Sequence, residues 1–241
     1  MRCEIINVGT ELLLGQNVNT NARDIGLRLA AAGIDCYCQT TVGDNLDRIV
    51  SAIRTALSRA DAVILTGGLG STDDDLTRDA VAAALDRPLR HSVALEKLIK
   101  EKLRAREPAA TEKTMRQAQL PEGAAAIKPT MGTAAGFVVE ADGQLVVATP
   151  GVPAEMLRML DADIIPRLRV GSDGGEVILS RVLKIYGLRE VEVENLTQDI
   201  IDAQSNPTVA PLIGRGTVTL RLTAKAPNPE SAQVLIAGTE E

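Results

Sequence analysis

The chain has 241 residues, of which 45% are hydrophobic and 24% charged, so it can build a sizeable core, and this composition excludes a disordered protein. Only 1% of the residues are aromatic, which excludes a single-stranded nucleic-acid surface made of stacking rings. The net charge of −6 argues against a basic face for duplex DNA or an anionic membrane. We therefore expect neither nucleic acid nor membrane as a partner.

The few histidines and cysteines restrict the chemistry further. His91 is the single histidine, so a bound metal would be a hard cation held by carboxylates, and His91 itself is expected in an exposed connection. Cys3, Cys36 and Cys38 lie in apolar runs without C-x-x-C spacing and are expected to be reduced and buried. No signal-peptide pattern begins the chain, and no apolar run approaches the roughly 20 residues that span a bilayer. We therefore expect a cytoplasmic protein.

The first half of the chain alternates between predicted strands and helices. Short runs rich in Val and Ile, each followed by turn residues, predict strands at 3–8, 34–42 and 62–66. Apolar residues at helical spacing predict helices at 19–32, after Asn45 and at 76–85. This order predicts a parallel sheet with right-handed crossovers.

The second half begins with the same kind of pattern and then changes. Helices are predicted at 93–104, 112–119 and 153–168, and a hairpin joins 137–140 to 145–148. The glycine-rich stretch 171–175 is predicted to be a linker. Beyond it the pattern predicts a strand at 176–185, a helix at 189–203, a strand at 217–224 and a helix at 229–237. The sequence thus predicts two domains, 1–170 and 176–241.

Acidic residues follow the first two predicted strands. Ligands of open parallel sheets bind outside the carboxyl ends of the strands. Glu11 comes directly after the first strand with Gly9 and Thr10, and Asp44 comes after the second, so both are candidates for a ligand site. The structural alternatives are a charge at a helix N-terminus for Glu11 and a helix cap for Asp44.

The loop after the third strand combines glycines with carboxylates. Gly67, Gly68 and Gly70 allow successive N–H groups to surround a phosphate at a helix N-terminus. Three consecutive carboxylates, 73–75, would repel that anion unless a divalent cation intervenes, so the loop predicts a Mg²⁺-bridged phosphate with Asp74 or Asp75 on the metal. The loop matches neither the Walker A motif nor the G-x-G-x-x-G fingerprint. The alternative is a flexible turn in which Asp residues cap the next helix.

Two later loops are further candidates. Gly132 and Thr133 belong to a run of small residues that could let the backbone approach a ligand or could form a tight turn. Pro150 and Gly151 belong to a loop made rigid by two prolines, which suits a preorganised wall. Glu155 falls in the first turn of the helix that follows, where a carboxylate is favoured by the helix dipole alone.

Taken together, these loops resemble the N-terminal half of the CinA family, the competence/damage-inducible CinA-like proteins. The matching motifs run in one order along nearly the whole chain, at 8–16, 18–21, 42–45, 67–70, 72, 74–77, 116–118, 121–124, 132–134, 136, 150–153 and 155–156. Segments 207–210 and 220–224 resemble the small KH-like domain of the family. The resemblance implies a three-layer α/β/α domain with a mostly parallel, MogA/MoaB-like sheet, followed by a small α+β domain.

The resemblance also implies a function. It implies metal-dependent hydrolysis of ADP-ribose to AMP and ribose 5-phosphate, with a molybdopterin-binding or adenylylating module as the alternative for the same site. A non-catalytic CinA-like protein with a degenerate site is another alternative, because Ser71 and Asp73 stand where the family usually has Pro and Lys. Ala135 and Thr149 also depart from the family's Pro and Leu. The amidase domain of many members is not within these 241 residues, so we expect that activity to be absent.

The resemblance and the loops together define the predicted site. Glu11, Asp44 and Asp75 are the predicted catalytic residues, and with Asp74 they are the predicted ligands of a divalent cation. The predicted substrate-binding residues are Gly9, Thr10, Gly67, Gly68, Gly70, Thr72, Gly132, Thr133, Pro150, Gly151 and Glu155. The expected partners are a small-molecule nucleotide and a second copy of the chain in a homodimer. From residue 171 onward the chain has six Lys and Arg against ten Asp and Glu. The KH-like unit is therefore predicted to be an interaction or dimerisation unit rather than an RNA-binding one.

Overall fold

The computed structural model describes residues 1–104, 112–170, 176–214 and 217–240. Contacts divide the chain into two compact units, Met1–Leu29 with Asp35–Gly171 and Ala30–Ile34 with Ser172–Glu241. Within the described ranges, no helix is long and apolar enough to cross a membrane. The predicted linker at 171–175 lies outside the described residues.

Eight strands and eight α-helices make up the described chain as far as residue 170. The strands are β1 (Cys3–Val8), β2 (Gln39–Val42), β3 (Ala62–Thr66), β4 (Leu89–His91), β5 (Gln119–Pro121), β6 (Ala125–Ile127), β7 (Gly136–Ala141) and β8 (Gln144–Thr149). The helices are α1 (Thr10–Leu13), α2 (Thr20–Ala31), α3 (Leu46–Leu57), α4 (Thr77–Ala84), α5 (Val93–Arg104), α6 (Glu112–Met115), α7 (Pro153–Met159) and α8 (Ile165–Val170). A 3₁₀ turn follows α6 at Arg116–Ala118, and a π-helical turn joins α7 to α8 at Leu160–Ile164.

Six of these strands form one sheet in the order β2-β1-β3-β8-β7-β6. The first four strands of that order run parallel, and β7 and β6 are antiparallel to their neighbours. Strands β1 and β3 are buried along their whole length because the sheet is covered on both faces, which is why most of their residues are apolar. The predicted mostly parallel α/β fold is confirmed.

Local signals fixed several boundaries as predicted. The Asn45 side chain accepts a hydrogen bond from the backbone N–H of Arg48 at 3.1 Å and so caps α3. The hairpin between β7 and β8 turns at Asp142 and Gly143, whose φ angles of 51° and 78° are those of a type I′ turn. Both elements were predicted from short-range sequence patterns alone.

The strand predicted at 34–42 is shorter than expected. Only Gln39–Val42 forms a continuous ladder with β1, whereas Asp35 makes an isolated bridge with Arg2. The predicted burial of all three cysteines is correspondingly wrong for two of them, because Cys36 and Cys38 lie in this irregular stretch and are half-buried. All three thiols are free, and burial raises the pKa of the Cys3 thiol.

Two other expectations are corrected. The helix predicted at 112–119 ends early, since the chain passes through the 3₁₀ turn into β5. His91 lies in β4 rather than in a connection, and its Nε2 is 2.6 Å from the Glu96 carboxylate. The pairing of β4 with β5 links segments about 30 residues apart, which no local pattern indicates.

The second unit is a three-stranded antiparallel sheet with two helices. Its strands are β9 (Val177–Ile185), β10 (Thr208–Gly214) and β11 (Thr217–Ala226), in the order β10-β11-β9, and its helices are α9 (Glu190–Ala203) and α10 (Pro229–Glu240). Val193, Val209, Leu222 and Ile236 are buried together in its core. Strand β10 was not predicted because Pro211 lies within it, and proline is tolerated there only at a sheet edge.

Candidate functional site

The loops that follow β1, β2, β3 and β8 meet at one edge of the large sheet and line a cavity of about 570 Å³. This is the edge where open parallel sheets bind ligands. The cavity brings together most of the predicted site residues, namely Gly9, Glu11, Asp44, Gly67, Gly68, Gly70, Thr72, Asp74, Asp75, Gly132, Thr133, Pro150, Gly151 and Glu155. Thr10 does not line the cavity, although it contacts a residue that does.

The loop between β3 and α4 requires glycine at two consecutive positions. Gly67 has φ +103° and Gly68 has φ +65°, and residues with a Cβ rarely adopt such positive φ angles. A Cβ on Gly67 would also collide with the carbonyl oxygen of Val8, and one on Gly68 would collide with Oγ1 of Thr77. The Thr77 hydroxyl donates to the Gly67 carbonyl at 2.7 Å. The loop is therefore a tight backbone turn rather than a flexible one.

Asp75 organises this loop from within. Its Oδ1 accepts from the N–H of Gly70 at 2.7 Å, and its Oδ2 accepts from the N–H of Thr72 at 2.8 Å and from the Thr72 hydroxyl at 2.5 Å. Both carboxylate oxygens are thus engaged with the loop's own donors. The N–H group of Gly70, which we predicted to face a phosphate, and that of Thr72 are consequently used by the protein.

The N–H groups of Gly68, Leu69 and Ser71 are among those of the loop that have no protein acceptor in the described part of the chain. All three residues line the cavity. Backbone N–H groups presented by a loop at the start of a helix favour an anion. Fewer N–H groups of the loop are therefore available to an anion than the sequence suggested.

A buried cation lies directly beneath the loop. The Arg78 side chain is 2% exposed, and its Nη2 donates to the Leu69 carbonyl at 2.9 Å. Burial lowers the pKa of its guanidinium, whereas the nearby Asp79 and Asp75 carboxylates oppose that shift. Arg78 holds the Leu69 peptide in place and adds positive charge behind the free N–H groups.

Asp44 and Thr10 join the loops that follow β1 and β2. The N–H of Thr10 donates to Oδ2 of Asp44 at 2.8 Å, and the N–H of Asp44 donates to the Thr10 hydroxyl at 3.1 Å. This reciprocal pair fixes Asp44 at the cavity wall next to Glu11. The expected proximity of the first two loops is therefore what the structure shows.

The carboxylates do not form a ready-made metal site. Glu11, Asp44, Asp74 and Asp75 all line the cavity, but among the described residues no three His, Cys, Asp or Glu side chains are grouped so that they could hold a metal ion. Their oxygens are the ligands that a hard divalent cation prefers. These carboxylates could therefore bind such a cation only together with oxygen atoms of a bound ligand, which would complete the coordination shell of the cation.

Sequence comparisons place the chain in a family. A family model described as "Probable molybdopterin binding domain" matches residues 4–170, and one described as "Damage-inducible protein CinA KH domain" matches 180–241. The chain belongs to the CinA family. Its MogA/MoaB-like α/β fold is the fold of the first of these two domains.

Individual relatives agree with this assignment. A competence-damage inducible protein of Moorella thermoacetica is 48% identical over 98% of the chain, and a CinA-like protein of Dictyoglomus turgidum is 43% identical over 99% of it. The chain spans only 57% of the length of each. The crystal structure of a CinA protein of unknown function from Thermoplasma acidophilum has a TM-score of 0.64 and 36% identity, covering 67% of this chain and 94% of that one.

One departure from the usual CinA motif has a visible consequence. Asp73, which stands where the family usually has Lys, does not line the cavity and is 74% exposed. Its carboxylate lies 2.6 Å from Nζ of Lys113 and 3.8 Å from Arg116, and the Lys113 ammonium lowers the pKa of Asp73. The additional negative charge is therefore balanced by these two basic residues outside the cavity.

Two polar residues that we did not predict as ligand contacts belong to the site region. Gln117 lines the cavity, is 3% exposed, and its Oε1 has no hydrogen-bond partner among the described residues. Asn21 is 9% exposed, and its Oδ1 likewise has no partner there. Both belong to motifs shared with the CinA family, but nothing in their local sequence reveals that an acceptor is left unpaired.

We expect replacement of Gln117 by Met to leave the protein equally stable or to stabilise it by about 1 kcal/mol, because it removes a buried acceptor without a partner. Gln144→Met is the matched control. Nε2 of Gln144 donates to the carbonyls of Leu57 and Ala60 at 2.6 and 2.7 Å, so replacing Gln144 should lower the free energy of unfolding by about 2 kcal/mol. Urea unfolding compares the two, and equal destabilisation would show that Gln117 is a structural residue.

Proposed function

We propose that this cavity binds the phosphates of a nucleotide and that the chain hydrolyses a nucleoside diphosphate of the ADP-ribose type to AMP and ribose 5-phosphate. The observation that carries the proposal is the turn at Gly67 and Gly68, which presents unpaired N–H groups above a buried guanidinium. Such a turn stabilises negative charge on a bound diphosphate and on the transition state of its hydrolysis.

The chain's own groups divide the task. The N–H groups of Gly68, Leu69 and Ser71 bind phosphate oxygens, and Asp75 keeps the loop in the shape that presents them. Glu11 and Asp74 face the same cavity as candidate bases for the attacking water. A divalent cation bound to ligand oxygens would neutralise the repulsion between these carboxylates and the diphosphate.

The molybdopterin alternative has a separate argument in its favour. The description of the matching family model names molybdopterin binding, so the comparisons support this alternative more closely than they support a pyrophosphatase. The composition of the site argues the other way. None of the three aromatic residues lines the cavity, so a pterin ring would bind without a stacking platform.

One experiment separates the two candidates. Incubated with ADP-ribose and Mg²⁺, the protein is expected to release AMP and ribose 5-phosphate in equal amounts, and chelation with EDTA should stop the reaction. In parallel, molybdopterin is titrated into the protein, and turnover of Mg-ATP is measured in its presence. If no AMP is released with any of a panel of divalent cations and the protein binds molybdopterin, the pyrophosphatase proposal is wrong and the molybdopterin alternative is favoured.

A further inference from the structure

A second, smaller cavity of about 240 Å³ adjoins the candidate site. The two cavities share Val8, Glu11, Gly67 and Gly151 in their linings. The smaller one continues along the start of α2, where Asn21 lines it. Its volume is below the roughly 300–1,000 Å³ of pockets that enclose a whole drug-sized ligand, so it suits one part of a larger molecule.

Asn21 lines this cavity and carries a hydrogen-bond acceptor of fixed orientation. Its amide nitrogen donates to the Gly151 carbonyl at 2.8 Å and to Oγ1 of Thr66 at 3.0 Å. The Thr66 hydroxyl donates its own proton to the Pro150 carbonyl at 3.2 Å, so it can only accept from Asn21. Because a carbonyl oxygen can only accept, the amide cannot be turned around, and the buried Oδ1 must be the atom without a partner.

A buried acceptor without a partner costs about 1–3 kcal/mol. The cost is recovered when a ligand brings an N–H or O–H to that atom. The diphosphate of an ADP-ribose-type ligand cannot do so at neutral pH, because both of its phosphates are ionised and offer only acceptors. The part of such a ligand that fits next to Asn21 is therefore one of its uncharged, donor-bearing rings, through a sugar hydroxyl or a ring amine.

Gly151 provides a second observation, which concerns its missing side chain and not the hydrogen bond that its carbonyl accepts from Asn21. Its φ is not in the left-handed region, and a Cβ there would meet only Gly67, at 3.4 Å from Cα and 4.0 Å from N. Neither backbone strain nor packing therefore requires glycine at this position. A side chain would instead occupy the wall that both cavities share.

We propose that the smaller cavity is a subsite for the uncharged, donor-bearing ring of a ligand whose phosphates lie in the larger cavity, and that this ring donates a hydrogen bond to Oδ1 of Asn21. The proposal rests on the proposed phosphate-binding function. Gly151 keeps the shared wall thin enough for one ligand to reach both cavities. Asn21 is a specificity-determining residue in this arrangement, because it recognises the ring and not the phosphates.

The test is a calorimetric titration with two probes, ADP-ribose and inorganic pyrophosphate, which lacks the donor-bearing rings. Asn21→Ala is expected to weaken ADP-ribose binding at least tenfold and to change pyrophosphate binding less than twofold. Gly151→Ala, whose Cβ would lie on the wall of both cavities, is expected to weaken ADP-ribose binding at least tenfold and pyrophosphate binding by a smaller factor. Gly238→Ala is the control, because Gly238 lies in α10 with open space around it, and this variant should change neither affinity.

Thermal unfolding of each variant is measured first. If Asn21→Ala does not fold because it lacks the two hydrogen bonds that Asn21 donates, Gly151→Ala alone tests the subsite. Unchanged ADP-ribose binding by Gly151→Ala, or an equal loss for both probes, would overturn the subsite. Wild-type protein that binds ADP-ribose while both variants bind it equally well overturns the subsite alone. Wild-type protein that binds pyrophosphate but not ADP-ribose overturns the subsite and the ADP-ribose substrate and leaves only phosphate binding, and wild-type protein that binds neither probe overturns the whole proposed function.

Discussion

Replacement of Gly67 by alanine is expected to destabilise the protein by about 3 kcal/mol or more and to abolish ligand binding. Two effects add at this position. The φ of +103° is strained for any residue with a Cβ, and that Cβ would press against the carbonyl oxygen of Val8 in the central strand β1. The loop can relieve the collision only by moving away from β1, which displaces the free N–H groups at Gly68 and Leu69.

The control for this variant is Gly143→Ala. Gly143 also has a positive φ, +78°, but nothing lies within 4 Å of the position where its Cβ would be. This substitution strains only the backbone conformation and should lower the free energy of unfolding by about 1 kcal/mol. Urea unfolding measures both, and a Gly67→Ala variant no less stable than Gly143→Ala would contradict the packing of the loop against β1.

Replacement of Asp75 by alanine is expected to weaken pyrophosphate binding by about 100-fold. The change removes the acceptor for the N–H groups of Gly70 and Thr72, and hydrogen bonds to a charged group contribute about 1.5–3 kcal/mol each. A loss of about 3 kcal/mol corresponds to a factor of about 100 in affinity. The direction is informative, because removing a carboxylate from an anion site would by electrostatics alone increase the affinity.

Asp74→Ala provides the matched control for that measurement. Asp74 is adjacent in sequence, carries the same charge and lines the same cavity, but it makes no hydrogen bond within the described chain. Its replacement should change pyrophosphate affinity less than tenfold. If both variants lose affinity equally, the two carboxylates act through their charge, and Asp75 has no special part in shaping the loop.

The sequence predicted the framework of the fold well because its signals are local. Strands β1 and β3 are short, mostly apolar runs followed by glycine, and the cap at Asn45 and the turn at Gly143 depend only on neighbouring residues. The pairing of β4 with β5 joins segments that are distant in the sequence, so no local window could predict it. Strand β10 pairs with β11, the next strand in the chain, but Pro211 within it weakens the local strand signal.

At the site, too, the sequence predicted some features and not others. The sequence indicated which loops meet, since carboxyl ends of parallel strands share one edge. It could not indicate what each side chain does there. Asp75 was predicted as a metal ligand because three carboxylates follow one another, yet both of its oxygens hold the loop. Gln117 and Asn21 became candidates only when their burial and their missing partners were visible.

The central claim is that the turn after β3 binds phosphate through its backbone, and amide chemical shifts test it most directly. Pyrophosphate is titrated into ¹⁵N-labelled protein while the N–H resonances are followed. We predict that the largest shifts occur at Gly68, Leu69 and Ser71, and that Gly70 and Thr72, whose N–H groups stay on Asp75, shift less. Shifts that spare this loop, or that spread evenly over the surface, would contradict the account.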